Sequence, residues 1–344
     1  MGPRLLLRAP NWLGDAVMSL PAIAAIRQQF PSAHLTVLAR PAVAELYLRD
    51  PTVDAVLTAP SRIGWSNWRA IWQKAKELRQ HAYQCAVLFP NSFESALLLW
   101  LAAIPERLGY RRDGRGWMLT RAIPTPRPGE IPPHQAYYYL ELIRRAGWIA
   151  HLPQLQAIEL TNAEEIRQAG YRRWQEHHLD GPIVGVSPGA AYGSAKRWSI
   201  EGFAKASARL ARNLGATVAI FGSASDAPLG ERLLGQLSKE GIPTRNYCGR
   251  TSLGEFMELL ACCRVLLSND SGAMHLAAAL GVPTVAVFGP TDPKVTGPLG
   301  RRCHVIQHPV SCAPCKHREC PIDHRCMRAI QADEVAEAAL QLLK

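Results

Sequence analysis

RLLLRAPNWLGDAVMSLPAIAAI, residues 4–26, decides the fold. Leu5, Leu6 and Leu7 make an apolar run too short for a helix and suited to a strand buried on both faces. Asn11-Trp12-Leu13-Gly14-Asp15 interrupts it, and a helix-like apolar pattern then runs on to Ile26. A buried strand that hands over to a helix opens a βαβ unit, and open α/β sheets bind ligands beyond the carboxyl ends of such strands. Asp15 stands at that turn. One reading makes it a helix N-cap, a role Asp fills well. The other makes it a carboxylate able to take a proton from a hydroxyl, with Gly14 allowing close approach of a ligand.

Outward from this stretch the same rhythm repeats. Strands are expected at 4–8, 34–38, 55–57 and 85–89, and helices at 15–29, 42–48, 65–80 and 93–103. A stretch with five prolines, Ile123 to Pro133, precedes helices at 135–146 and near 162–177. The alternation restarts at Pro182, with strands at 183–187, 217–221, 265–267 and 284–288 and helices at 200–214, 227–240, 253–262 and 272–280. The expected architecture is α/β: two Rossmann-like doubly wound domains facing across a cleft, divided into residues 1–165, residues 166–330 and a C-terminal helix over 331–344. No segment approaches the roughly 20 apolar residues of a spanning helix. The first residues lack an apolar core followed by a small-residue cleavage site, so a cytoplasmic location is expected.

The chain carries 39 Lys and Arg against 28 Asp and Glu, a formal net charge of +11. Such a surface attracts nucleic acid, anionic membrane or an anionic substrate, and does not choose among them. Neither a GxGxxG nor a GxxxxGK[ST] loop is present, which removes the standard dinucleotide and P-loop sites and disfavours an oxidoreductase.

Three further strand-to-helix turns carry candidate chemistry. SPGAAYGSAKRW, residues 187–198, is a Gly-rich loop with adjacent cations, suited to phosphate contact by backbone N–H groups and Lys196, with Arg197 in support; a solvated loop is the plainer alternative. SNDSGAMH, residues 268–275, places Asp270 or Ser271 as a cap and offers the N–H groups of Ser271, Gly272 and Ala273 to an anion. His275 lies one turn on, either in contact with that anion or packed in the core. Asp226 in FGSASD, residues 221–226, is either a ribose-binding acid or another helix cap.

These stretches, together with LFPNSFESAL at 88–97 and GVPTVAVFGPTDP at 281–293, resemble the ADP-heptose:lipopolysaccharide heptosyltransferases over almost the whole chain. PNSFESAL and PGAAYGSAKRW favour the heptosyltransferase II branch over heptosyltransferase I. The resemblance implies a GT-B fold, inversion at the sugar carbon and no metal in the active site. It makes 1–165 the acceptor-binding domain and 166–330 the nucleotide-sugar domain. By the same resemblance Asp15 is the general base, Lys196 meets the diphosphate, Asp226 the ribose and Thr251 the adenine. Asp270, Ser271, Gly272 and His275 form the diphosphate and sugar turn, with Gly14 beside the base. The implied donor is ADP-heptose. The implied acceptor is heptosyl-Kdo-lipid A at the inner face of the cytoplasmic membrane, with the enzyme peripheral to that membrane.

Arg62, Arg69, Arg111, Arg112 and Arg115 are candidates for contacts with so anionic an acceptor. Trp65, Trp68 and Trp72 recur at helical spacing and are expected to pack in the core. Cys312, Cys315, Cys320 and Cys326, near His317 and His324, have a spacing that points to structural zinc or an iron–sulfur cluster, or else to loop cysteines, reduced or disulfide-linked. A basic nucleic-acid-binding protein would explain the charge but none of the strand-end motifs, so no nucleic-acid partner is expected.

Overall fold

The computed structural model describes residues 2–60, 68–177, 179 and 181–344. They fold into two compact units, Met1–Gln154 and Leu155–Lys344.

The first unit is built on one parallel sheet. Its strands are β1 (Arg4–Arg8), β2 (His34–Ala39), β3 (Ala55–Thr58), β4 (Cys85–Leu88), β5 (Glu106–Tyr110) and β6 (Arg121–Ile123), in the order β3-β2-β1-β4-β5-β6. Leu5 lies opposite Leu35 on one side and Cys85 on the other, which is why the central strands are apolar throughout. The crossovers are α1 (Leu13–Gln29), α2 (Pro41–Leu48), α3 (Trp68–Gln80) and α4 (Phe93–Leu101), and α5 (Gln135–Arg145) packs along α1.

The second unit repeats the plan. Helix α6 (Ala163–Glu176) precedes β7 (Ile183–Ser187), α7 (Ile200–Leu214), β8 (Thr217–Ile220), α8 (Ala227–Lys239) and β9 (Thr244–Asn246). Then come α9 (Leu253–Ala261), β10 (Val265–Asn269), α10 (Gly272–Ala279), β11 (Thr284–Val287), the short α11 (Pro293–Thr296) and β12 (Cys303–Ile306). A one-turn α12 (Arg325–Arg328) and α13 (Ala332–Leu342) end the chain. The sheet order is β12-β11-β10-β7-β8-β9, again parallel. Helix α6 packs on α9 and α13 on α7, so residues 155–165 and the C-terminal helix both belong to this unit.

Counted from its own first strand, each sheet reads 3-2-1-4-5-6, the doubly wound order. It reverses between β1 and β4 in one unit and between β7 and β10 in the other. Those switch points are where crevices for ligands open. They follow Arg8, Leu88, Ser187 and Asn269, and so coincide with the motif-bearing turns.

Candidate active site

In the first unit the turn after β1 is fastened from below by Arg8. This fully buried guanidinium donates to Asn11 Oδ1 at 2.6 Å and to the carbonyl oxygens of Leu38 (3.3 Å) and Ala9. Burial, with Arg40 nearby, pulls its pKa down to about 10, so it stays charged at neutral pH. Helix α1 starts at Leu13 with Trp12 as its N-cap, and Asp15 is the third residue of the helix. The cap reading of Asp15 is therefore displaced by three positions. Its carboxylate lies in the first turn, where the helix dipole favours negative charge. It accepts a hydrogen bond from the Tyr139 hydroxyl of α5 at 3.1 Å. Burial and the charge of Asp15 hold the Tyr139 phenol well above its ordinary value, so it remains a neutral donor. Gly14 is the second helical residue, beside the acid.

The neighbouring turn, Pro90-Asn91-Ser92, follows β4 across the switch point. Asn91 Nδ2 donates to Tyr138 Oη at 2.8 Å, and Ser92 caps α4. Arg115 is fully buried beneath this turn. Its guanidinium donates to the carbonyls of Pro90, Ser92 (3.4 Å) and Tyr110 (3.0 Å) and to Asn91 Oδ1 (3.3 Å). That corrects the expectation of an acceptor contact: its donors are spent on holding the loop, and burial lowers its pKa to about 10. Arg69, Arg111 and Arg112 are exposed, the last beside Asp113 at 3.6 Å. Arg62 and Trp65 lie outside the described residues.

In the second unit Lys196 and Asp270 come together although 74 residues separate them. The Lys196 ammonium, buried after β7, donates to Asp270 Oδ2 at 2.5 Å and sits 4.8 Å from the centre of the Tyr192 ring. Thr291 Oγ1 (2.7 Å) and Thr296 Oγ1 (3.4 Å) donate to the same carboxylate oxygen. Asn269 ties the two turns together: its Oδ1 accepts from the Trp198 amide at 2.9 Å and its Nδ2 donates to Pro188 O at 2.8 Å. Helix α10 begins at Gly272 after Ser271, whose side chain makes no cap bond and instead pairs with the Ser268 hydroxyl at 3.0 Å. His275 is buried in the second turn of α10.

Asp226 accepts from the Ser223 amide (3.0 Å) and hydroxyl (2.6 Å) as the third residue of a capping box, and makes no side-chain cap bond to α8, which it precedes; Arg197 stands 3.9 Å away. It packs so close to the SPGAA turn that a Cβ on Gly189 would lie 2.4 Å from its carboxyl carbon. Thr251 lines a cavity of about 410 Å³ with Arg173, His177, Tyr247, Arg250 and Glu255. The loops of Asp226 and Thr251 touch, through Gly249 N–H to Gly222 O at 2.9 Å.

A second cavity, of about 290 Å³, is lined by Cys312, Cys315, Cys320 and Cys326 together with His317 and His324. None of the four cysteines is joined in a disulfide. The His324 amide donates to Cys320 Sγ at 3.3 Å. Burial pushes the Cys326 thiol up, and Cys312, Cys320 and Cys315 add to that shift. Among the described residues no three His, Cys, Asp or Glu side chains are grouped as a formed metal site. This loop grips the Lys196 turn: Ala195 N–H donates to Arg318 O (2.9 Å), Tyr192 Oη to Lys316 O (2.7 Å), and His324 Nε2 lies 3.0 Å from Ala195 O.

Sequence reasoning missed Tyr139, Arg8, Asn269 and Thr291. Asn269 was open to discovery, being a polar residue that ends a buried strand inside a motif. Tyr139 carries no local signal.

Residues 71–325 match the sequence profile of glycosyltransferase family 9 (heptosyltransferase). The chain belongs to that family. It is 32% identical over 311 residues to lipooligosaccharide heptosyltransferase 2 of Haemophilus influenzae, covering 88% of each chain. It superposes on the solved structure of the Escherichia coli ADP-heptose lps heptosyltransferase II with a TM-score of 0.83 at 29% identity, covering 99% of this chain and 98% of that one. Lipopolysaccharide heptosyltransferase 1 of Pseudomonas aeruginosa is more distant, at 25% identity over 92% of this chain and 87% of its own. The protein is a glycosyltransferase of GT-B fold, of the heptosyltransferase II kind.

Proposed function

We propose that this chain moves L-glycero-D-manno-heptose from ADP-heptose to the first heptose of the Kdo-lipid A inner core, with inversion. The observation that carries the reading is the Lys196–Asp270 pair beside the N-terminus of α10, at the switch point of the second unit. It supplies a fixed positive charge and helix N–H groups where a diphosphate would leave, the preformed stabilisation that transfer from a nucleoside diphosphate sugar needs. In the step, the acceptor oxygen bonds to the anomeric carbon as that carbon's bond to the diphosphate oxygen breaks through an oxocarbenium-like state. The acceptor proton passes to Asp15, and ADP departs with the bonding pair. Asp270 acts as a positioning residue, holding the Lys196 ammonium in place through the step. Asp226 and Thr251 belong to the ribose and adenine ends, Gly14 and His275 to the sugar. Arg69, Arg111 and Arg112 meet acceptor carboxylates or phosphates, and Arg115 keeps the Pro90-Asn91-Ser92 turn in shape.

The acceptor is lipid-anchored, so the enzyme works at the cytoplasmic face of the inner membrane as a peripheral protein. Among the described residues no helix is long and apolar enough to cross a membrane. The four cysteines line one cavity without being grouped as a metal site, and would have to draw together and lose their protons to hold zinc or an iron–sulfur cluster in a structural role. The deciding assay offers purified enzyme ADP-heptose, other nucleotide sugars, and acceptors with and without the first heptose. Transfer only from ADP-heptose and only to the heptosylated acceptor is the expected result. Transfer to the Kdo acceptor without heptose would assign it to heptosyltransferase I instead.

A further inference from the structure

Trp68 and Trp72 do not pack in the core. Helix α3 buries Ile71, Ala75 and Leu78, while Trp68 is 44% and Trp72 46% exposed, edge to face with centroids 6.2 Å apart. Helix α4 lies alongside, tied by Arg79 Nε to Leu101 O at 3.1 Å, and exposes Phe93 and Trp100. Trp117, 62% exposed on the Gly116–Met118 turn, touches both rings, with centroids 6.4 Å from Phe93 and 5.5 Å from Trp100. Five of the ten large exposed hydrophobic side chains among the described residues fall between Trp68 and Trp117. That span also carries eight Arg and Lys against four Asp and Glu, and Arg69, Lys76, Arg79, Arg111 and Arg112 are exposed. The Arg111 stem runs over Gly116, beside Trp117.

We infer that the outer face of α3, α4 and the Trp117 turn docks onto an anionic lipid bilayer. Exposed apolar clusters mark partners. Tryptophan is at home where hydrocarbon meets headgroup, and a fringe of Arg and Lys complements anionic lipid. A protein partner would bury the rings equally well, but the excess of cations around them favours a negatively charged surface. The placement fits the chemistry. Because all six strands of this sheet are parallel, α3 and α4 start at its carboxyl edge, the edge where the Asp15 turn lies. A bilayer seated on this face presents the head of a lipid-anchored acceptor to that edge. Only this last point rests on the acceptor proposed above.

The test uses the full chain and vesicles of phosphatidylethanolamine and phosphatidylglycerol, with phosphatidylcholine vesicles as the neutral control. Co-sedimentation with the anionic vesicles, weakened by salt, is expected. Trp72→Ser/Trp117→Ser is expected to bind them about tenfold or more weakly. Its melting temperature and its transfer to a delipidated, water-soluble acceptor are expected to stay unchanged, while transfer to vesicle-embedded acceptor falls. Tyr171→Ser, an exposed aromatic change in the other unit, serves as the control and is expected to bind like the parent. Equal vesicle binding by the double variant would overturn the assignment. So would a change from dimer to monomer with vesicle binding unaltered, which would make the face a contact between copies. Failure of the parent to bind any vesicle would also overturn it, and would leave heptosyl transfer, read on the soluble acceptor, untouched.

Discussion

Asp15 and Tyr139 stand 124 residues apart and meet in one hydrogen bond. A donor to a carboxylate stabilises its charged form, so removing the donor makes the carboxylate hold its proton more tightly. Tyr139→Phe is therefore expected to move the acid limb of the kcat/KM profile to higher pH. A hydrogen bond to a charged group is worth about 1.5–3 kcal/mol, which bounds the move at roughly 1–2 pH units. An unmoved limb, read from transfer rates over pH 4–9, would mean that Tyr139 does not act on the base. The position of Asp15 at a strand-to-helix turn was legible from the buried strand before it. Its partner was not, because contacts across a helix pair leave no trace in local spacing. Arg115 shows the opposite failure. In sequence it looks like Arg111 and Arg112, and only the fold reveals that it turns inward to satisfy a loop's carbonyl groups.

At the scale of elements, the inner strands and the helices between them were legible because burial on both faces demands continuous apolar runs. Strands β5, β6, β9 and β12 were not, since ERLGY, RAI, TRN and CHVI lie at or next to sheet edges and mix charge with short length. The stripe on α3 misled for a related reason: helical spacing says which residues share a face and nothing of whether that face is covered. One element link is directly testable. A Cβ on Gly193 would lie 2.1 Å from Arg318 O, inside the contact that joins the cysteine loop to the Lys196 turn. Gly193→Ala is expected to push the two apart, at a cost of about 1–3 kcal/mol. Transfer is expected to fall about tenfold or more as Lys196 shifts, with a lower melting temperature. Normal kinetics in that variant would show that Lys196 is held without the loop.

At the scale of the whole molecule, two copies of one doubly wound plan each place a motif-bearing turn at a reversal of strand order. One unit offers an acid and the other a cation at a helix end. If the four cysteines hold a metal, the purified chain is expected to contain about one equivalent of zinc, or iron with a charge-transfer spectrum, and to lose thermal stability on chelation. Metal-free protein with unaltered melting would make them plain thiols. Whether the acid of the first unit takes the acceptor proton is read from Asp15→Asn. Asn preserves shape but cannot serve as a base. The measurement is transfer of heptose from ADP-heptose to heptosyl-Kdo-lipid A, beside a thermal melt and an ADP titration. Melting and ADP affinity are expected to hold while transfer falls by roughly 10²-fold or more. A folded Asp15→Asn enzyme with near-parental transfer would contradict Asp15 as the base.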